Sequence, residues 1–188
     1  KLFLNAGPGY GGSCLPKDMK ALINFAKASG INPTLLNAVE EVNTKQLEQI
    51  ILMIKQKLGN LASKKITILG TAFKPNTDDI RDSIAIELIK KLLNKKAKII
   101  IHDPKAMKNT QRIFKEKINY AKTIEDALAK SQCVIIMTQW KQYEKLNNNQ
   151  FKYMTRKFVI DCRRMLAKKQ LDVDYYAIGL GKQNWNIL

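Results

Sequence analysis

Residues 65–104 read KITILGTAFKPNTDDIRDSIAIELIKKLLNKKAKIIIHDP, and this stretch decides the fold. The apolar runs at 66–69 and 98–102 have the length and composition of buried strands, and residues 83–93 between them have the periodicity of a helix. A strand, a helix and a second strand in this order indicate a parallel pair joined by a right-handed crossover.

The same alternation continues toward the C-terminus. A helix is predicted at 123–130, with Thr123 as its N-cap, and strands at 133–138, 158–161 and 175–178. Alternating strands and helices are typical of an α/β fold, and here we predict a Rossmann-like, doubly wound parallel sheet.

Ligands of such sheets bind beyond the carboxyl ends of the strands. Three segments of the chain follow directly after predicted strands, at 71–82, 138–143 and 161–164. The topology alone therefore predicts which edge of the sheet binds a ligand.

Two helices are predicted before the first strand, at 17–29 and 33–58. A helix as long as the second, in a chain of 188 residues, is expected to pack against a partner surface. We place the domain boundary in the link near 59–65. This gives a helical linker region at 1–61, which also carries a glycine-rich loop, and an α/β domain at 62–188.

The glycine-rich loop is residues 7–18, GPGYGGSCLPKD. Its glycines allow close approach to a ligand, and Cys14 falls at the start of the first helix, where the helix dipole favours the thiolate. Lys17 adds a positive charge, and Asp18 lies one helical turn after Cys14. A free cysteine is often only a small buried hydrophobe, but the coincidence of these features favours a nucleophile with a carboxylate beside it.

Three motifs resemble the UDP-glucose/GDP-mannose dehydrogenase family. The first is residues 3–18, FLNAGPGYGGSCLPKD, which looks like the active-site signature of that family. The second is residues 69–83, LGTAFKPNTDDIRDS, and the weaker third is residues 159–164, VIDCRR. They occur in the family's order, but the resemblance covers only the C-terminal half of such an enzyme.

The resemblance implies an NAD-dependent oxidation of UDP-glucose to UDP-glucuronate, a precursor for polysaccharide synthesis, in two hydride transfers. Cys14 would form a thiohemiacetal and then a thioester, and Asp18 would assist hydrolysis by water. NAD would be bound mainly by an N-terminal half that these residues do not include, so we expect the 188-residue chain alone to be inactive. The full-length enzyme is expected to be a cytoplasmic homodimer.

The resemblance also implies roles for further residues. The sugar and diphosphate would contact Phe3, Leu4, Asn5, Gly7, Tyr10 and Gly11. The nucleotide would contact Phe73, Lys74 and either Arg163 or Arg164, and the cofactor pyrophosphate would contact Arg81. Cys162 replaces a residue that is usually glycine in the family, which leaves the choice between the two arginines open.

Composition limits the other classes of function. The formal net charge of +17 suits an anionic partner, but the lysines are scattered and are not interleaved with aromatic residues, so we expect neither nucleic acid nor a membrane as partner. The three cysteines have the spacing of neither a disulfide framework nor a zinc site, and we predict no metal. His102, the single histidine, is expected to be structural.

Two alternatives remain. The first is a GDP-mannose dehydrogenase, because that branch of the family shares the sequence GGSCLPKD at 11–18. Residues 6–10, which directly precede this sequence, and the loop at 73–79 favour the branch of the family that uses uridine nucleotides. The second is a basic nucleic-acid-binding module, whose affinity would fall steeply with salt.

Overall fold

Strands and helices alternate along the part of the chain that the structure, a computed structural model, describes, residues 7–182. The strands are Lys65–Leu69 (β1), Lys98–His102 (β2), Asn119–Tyr120 (β3), Cys133–Ile136 (β4), Phe158–Asp161 (β5), Asp174–Ala177 (β6) and Gly181–Lys182 (β7). The α-helices are Leu15–Ala28 (α1), Thr34–Leu58 (α2), Ile84–Asn94 (α3), Met107–Phe114 (α4), Ile124–Leu128 (α5) and Asn148–Phe151 (α6).

All seven strands belong to one sheet, in the order β3-β2-β1-β4-β5-β6-β7. Strands β1 to β6 are parallel, and β7 is antiparallel to β6. The chain order reverses between β1 and β4, which is the topological switch point where doubly wound sheets bind ligands. The predicted fold class, helices followed by a Rossmann-like parallel sheet, is confirmed.

The central strands are buried on both faces, because helices cover the sheet on each side. Ile66, Ile68 and Ile135 pack with α3 and the second half of α2, whereas Val134 and Val159 pack with α5 and α6 on the opposite face. This double burial explains why the strands read as continuous apolar runs without alternation.

Helix α2 changes character along its length. Its second half buries Ile50, Ile51 and Ile54 against the sheet, whereas Leu35 and Val42 of its first half are exposed. The first half thus presents an apolar surface, as expected for a helix that packs on a partner. The division at 61/62 falls between α2 and β1 and stays a prediction.

Four elements, helices α4 and α6 and strands β3 and β7, were not expected from the sequence. Helix α4 is short and mostly polar and buries only Thr110 and Phe114, so few apolar residues mark it as a helix. Helix α6 is only four residues long. Strands β3 and β7 are two residues long, too short to show a pattern. Both lie at edges of the sheet, where a neighbouring strand supplies the pairing.

Candidate functional site

A cleft of about 590 Å³ opens at the switch point, within the range of about 300–1,000 Å³ that ligand pockets span. The glycine loop, residues 7–11, forms one wall of it. Residues 72–75 and 83–85, which follow β1 and begin α3, form another. Met137, Gln139 and Arg163, beyond the ends of β4 and β5, also line it. The cleft therefore lies at the edge of the sheet that the topology predicts.

The first two motifs meet across this cleft. Gly12 has a φ of +90°, and a Cβ there would lie 2.6 Å from Cδ2 and Cε2 of Phe73. The amide of Gly12 also donates to the carbonyl oxygen of Asp82 at 3.4 Å. Only glycine tolerates both the left-handed conformation and this close approach.

The glycine loop is also held from the side of α2. The amide of Tyr10 donates to Oδ1 of Asn43 at 2.8 Å, and Nδ2 of Asn43 donates back to the carbonyl oxygen of Tyr10 at 3.1 Å. The Tyr10 hydroxyl donates to Glu40. Burial, followed by the contact with Glu40, raises the pKa of Tyr10 to about 12. Helix α2 thereby fixes the position of the loop.

Cys14 lies at the N-cap position of α1 and is exposed. Its Sγ is 3.7 Å from Oγ of Ser13, and Leu15, the next residue, lines the cleft. The amide of Asp18 donates to the Cys14 carbonyl oxygen at 2.9 Å, so both residues belong to the first turn. The Asp18 carboxylate lies 3.5 Å from Nζ of Lys17 and is open to solvent. Cys14 is accessible beside the cleft, as a nucleophile requires.

The loop after β1 carries Phe73 and Lys74 into the cleft, and Asp103 holds this loop in place. The amides of Thr71 and Ala72 donate to Oδ2 of Asp103 at 2.7 and 3.0 Å. Nζ of Lys74 is exposed and lies 5.2 Å from the centre of the Phe73 ring. The cleft thus presents a half-buried aromatic ring with a cation beside it.

The two arginines after β5 point in different directions. Nε of Arg163 donates to the carbonyl oxygen of Met137 at 2.8 Å, and its guanidinium lies against Gly7 in the cleft. Arg164 has a φ of +55° and donates from Nε to the carbonyl oxygen of Ile178 at 2.7 Å. Of the two, only Arg163 lines the cleft.

The buried carboxylate of Asp161 fixes the backbone from which the two arginine side chains point in different directions. Its carboxylate accepts bonds from the amides of Arg163 and Leu166, at 2.9 and 2.8 Å, and from the hydroxyl of Tyr175 at 2.9 Å. Burial raises the pKa of Asp161 and lowers the pKa of Arg163. Within residues 7–182, the Arg163 guanidinium makes no ion pair with a carboxylate. It is a partly desolvated cation that faces the cleft.

Arg81 lies outside the cleft. Its guanidinium makes a fork with Asp79, from Nε at 3.0 Å and from Nη2 at 2.7 Å. The bond and charge of Asp79 raise the pKa of Arg81, and the charge of Cys14 makes a smaller contribution. Arg81 is exposed, and its predicted contact with a cofactor pyrophosphate stays a prediction.

The remaining predicted residues and sites lie outside the cleft or outside the described part of the chain. Phe3, Leu4 and Asn5 precede residue 7 and lie outside the described residues. Within 7–182, no three His, Cys, Asp or Glu side chains are placed to hold a metal ion. In the same range, no helix is both long and apolar enough to span a membrane.

His102 is buried beside Tyr143 at the end of β2. The Tyr143 hydroxyl donates to the His102 carbonyl oxygen at 2.8 Å, so its oxygen accepts from Nδ1–H of the imidazole, 2.9 Å away. Burial lowers the pKa of His102, and the neutral ring fits this arrangement. The expected structural role agrees with these contacts.

The lowered pKa of His102 predicts an acid-dependent loss of stability. The unfolded chain protonates this histidine at a pH of about 6.5, before the folded chain does, so the free energy of unfolding falls as the pH drops below that value. The His102→Asn variant keeps a donor at the δ position and removes the titration. Urea unfolding at pH 7 and pH 5 should show a smaller acid loss for the variant. An equal loss in both proteins would contradict this assignment. Asp161, whose pKa is raised by burial, contributes equally to both proteins, so its effect cancels in the comparison.

Two models of known protein families match this chain. The model of the UDP-glucose/GDP-mannose dehydrogenase family, UDP binding domain, matches residues 67–168, and that of the family's central domain matches residues 1–45. The chain belongs to the UDP-glucose/GDP-mannose dehydrogenase family. The match to the UDP-binding domain includes Phe73, Lys74 and Arg163, the side chains that the structure brings together.

Several proteins that are similar to this chain are named as UDP-glucose dehydrogenases. UDP-glucose 6-dehydrogenase AglM of Haloferax volcanii is 40% identical over 176 residues, covering 94% of this chain and 40% of that protein. UDP-glucose 6-dehydrogenase of Rickettsia felis is 36% identical over 183 residues, covering 94% and 41%. A UDP-glucose dehydrogenase structure from Pyrobaculum islandicum superposes with a TM-score of 0.82 at 34% identity, covering 91% of this chain and 38% of that one. The chain therefore spans about 40% of the length of these family members.

Met137 and Gln139 are among the lining residues that the sequence analysis did not assign to the site. Gln139 lies inside the segment 138–143 that the topology assigns to the ligand edge, but nothing in its residue type distinguished it from its neighbours. Its orientation depends on the packing of the residues on either side of it.

Proposed function

We propose that this chain is the catalytic-cysteine and UDP-binding part of an NAD-dependent enzyme that oxidises UDP-glucose to UDP-glucuronate. The observation that carries the proposal is Arg163, a partly buried cation that lines the cleft and has no carboxylate partner among residues 7–182. A partly desolvated guanidinium is stabilised by an anion, and a diphosphate supplies one with the matching geometry. Lys74 adds a second, exposed cation at the same cleft.

Cys14 and Asp18 would supply the covalent chemistry. The Cys14 thiolate adds to the carbonyl carbon of the aldehyde, and the carbonyl oxygen takes up a proton to give a thiohemiacetal. After oxidation to the thioester, water attacks the acyl carbon and the thiolate leaves, with Asp18 accepting the proton of the water. Overall the alcohol carbon loses two hydrides and gains the oxygen of one water, which requires two NAD molecules as acceptors.

The described residues do not form an NAD site by themselves. Strand β1 leads into the long loop that Asp103 holds, and α3 begins only at Ile84, whereas a pyrophosphate turn passes directly from strand to helix. We therefore propose that NAD is held mainly by residues outside 7–182, with Arg81 as a contact to its pyrophosphate, and that the 188-residue chain alone has no turnover. A homodimer, for which exposed Leu35 and Val42 offer an apolar surface, and a cytoplasmic location also stay proposals.

Binding of UDP to the purified chain tests the proposal. The Arg163→Ala variant should bind UDP about 10- to 100-fold more weakly, because a charge-assisted hydrogen bond contributes about 1.5–3 kcal/mol. The Lys74→Ala variant should also bind more weakly, by a smaller factor, since Lys74 is exposed. Arg164→Ala is the matched control and should change the affinity by less than about twofold, because Arg164 points away from the cleft. Isothermal titration calorimetry measures all four proteins.

Two results would contradict the proposal. Equal affinity for GDP and UDP would remove the uridine assignment and favour the GDP-mannose branch. Binding of a DNA oligomer that exceeds UDP binding at low salt and collapses at high salt would favour the nucleic-acid alternative.

A further inference from the structure

Gln139 has an unused amide in the cleft. It is half-buried, it lines the cleft, and within residues 7–182 its side chain makes no hydrogen bond. The other polar side chains that line the cleft are already engaged or are cations. The Tyr10 hydroxyl donates to Glu40, and the Ser83 hydroxyl donates to the carbonyl oxygen of Thr71 at 2.7 Å. Gln139 is therefore, among the described lining residues, the neutral side chain left free to both donate and accept.

The backbone on both sides of Gln139 is fixed. The hydroxyl of Thr138 donates to the carbonyl oxygen of Ala72 at 2.6 Å. Nε1 of Trp140 donates to Asp103 at 3.2 Å, and its amide donates to the carbonyl oxygen of Thr138 at 2.9 Å. The backbone therefore holds Gln139 at the cleft, and the bonds that its amide forms must offset the rotamer freedom that the side chain loses on binding.

The chemistry of the amide indicates which part of a nucleotide it contacts. Phosphate oxygens only accept hydrogen bonds, so they are matched by Arg163, Lys74 and backbone amides. The edge of a uracil base presents an imide N–H beside a carbonyl oxygen, which an amide matches with one acceptor and one donor. The half-buried Phe73 ring in the same cleft offers an apolar face on which a base can stack.

We propose that Gln139 is a specificity-determining residue that hydrogen-bonds the edge of the uracil base, while Arg163 binds the diphosphate. This inference rests on the proposed function, because it assumes that the cleft takes a uridine nucleotide. It assigns the base and the diphosphate to two different side chains, so the loss of each has a different effect on ligands with and without a base.

Calorimetry with UDP and with inorganic pyrophosphate separates recognition of the base from binding of the diphosphate. Gln139→Ala should weaken UDP binding about tenfold, the value of one to two neutral hydrogen bonds, and leave pyrophosphate binding unchanged. Arg163→Ala should weaken both ligands. Gln142→Ala is the matched control, since it removes the same side chain from the same segment at a position that does not line the cleft.

A third variant tests recognition of the base itself. Gln139→Glu, with a carboxylate that only accepts hydrogen bonds, can still accept from the imide N–H of uracil but loses the donor to the uracil carbonyl oxygen. The ratio of UDP to pyrophosphate affinity should fall by about tenfold, and the added charge largely cancels in that ratio because both ligands are diphosphates.

The outcomes distinguish this inference from the function on which it rests. If the native chain binds UDP and pyrophosphate through Arg163, but Gln139→Ala changes UDP binding no more than Gln142→Ala does, the inference is overturned and the proposed function stands. An unchanged ratio of UDP to pyrophosphate affinity in Gln139→Glu overturns it as well. If the native chain binds neither UDP nor pyrophosphate, the proposed function fails and the inference fails with it.

Discussion

Cys14→Ser, made in a longer protein that includes these 188 residues and has the proposed activity, should lower turnover by several orders of magnitude while UDP-glucose binding is kept. A covalent nucleophile is needed once an aldehyde carbon is available, and a serine hydroxyl is scarcely ionised at pH 7 whereas a thiol is partly so. The structure indicates that the exchange costs little stability. Cys14 is exposed at an N-cap position, where serine is a preferred residue.

Pre-steady-state NADH release and the mass of the intact variant, measured with UDP-glucose, check this result. If the serine acylates and its ester resists hydrolysis, the mass should rise by that of the bound sugar nucleotide. Cys162→Ser is the matched control: Cys162 is fully buried in the core, and burial raises the pKa of its thiol to well above the range of a thiolate nucleophile. It should lower the melting temperature and leave the turnover of the folded enzyme largely unchanged.

The opposite pattern would contradict the role of Cys14. A Cys14→Ser enzyme that makes UDP-glucuronate at close to the native rate would exclude the thiolate from the mechanism. A Cys14→Ser enzyme that loses stability as Cys162→Ser does would indicate a structural cysteine.

The sequence predicts the sheet well where burial determines it. The bounds of β2 and β5 were predicted to the residue, because each strand contains an apolar run, at 99–101 and 158–160, with polar residues on both sides of it. Thr123 was predicted as an N-cap, and its hydroxyl accepts from the amide of Asp126 at 3.1 Å. Helix α4 was missed because its sequence is mostly polar and tertiary contacts stabilise it.

The site is predictable only in part, because its motifs are separated in sequence and meet through the fold. The family resemblance implied that residues 3–18, 69–83 and 159–164 serve one site, and the structure brings the described part of the first motif into contact with the second and places Arg163 beside Gly7. The choice between Arg163 and Arg164 depends on the bonds of Asp161 and on a left-handed residue, neither of which is encoded in a local pattern.

Asp103 shows the same limit most clearly. In the sequence it only ends a strand, before Pro104. In the structure it is 3% exposed, and its carboxylate accepts five hydrogen bonds from three separate segments. Oδ2 accepts from the amides of Thr71 and Ala72 and from Nε1 of Trp140. Oδ1 accepts from the amides of the segment 105–106 at 2.9 and 2.7 Å.

Asp103→Ala should therefore destabilise the 188-residue chain by about 3–5 kcal/mol, since it leaves buried donors without an acceptor. Asp103→Asn keeps the size and one carbonyl oxygen, and should lose less. Asp78→Ala, at an exposed carboxylate, is the matched control and should change the free energy of unfolding by no more than about 0.5 kcal/mol. Urea unfolding followed by circular dichroism measures all three.

The same substitution should also weaken UDP binding, because Thr71 and Ala72 lead directly into Phe73 and Lys74. If Asp103 only stabilised the fold, the molecules that stay folded would bind UDP with unchanged affinity. The UDP affinities are therefore compared under conditions in which each variant is still folded. Asp103→Asn, the milder variant, keeps enough folded protein for this titration, and its UDP affinity should lie between those of the native chain and Lys74→Ala. If Asp103→Ala unfolds within 1 kcal/mol of the native chain, the five hydrogen bonds do not hold the loop, and the preorganisation of the cleft has another source.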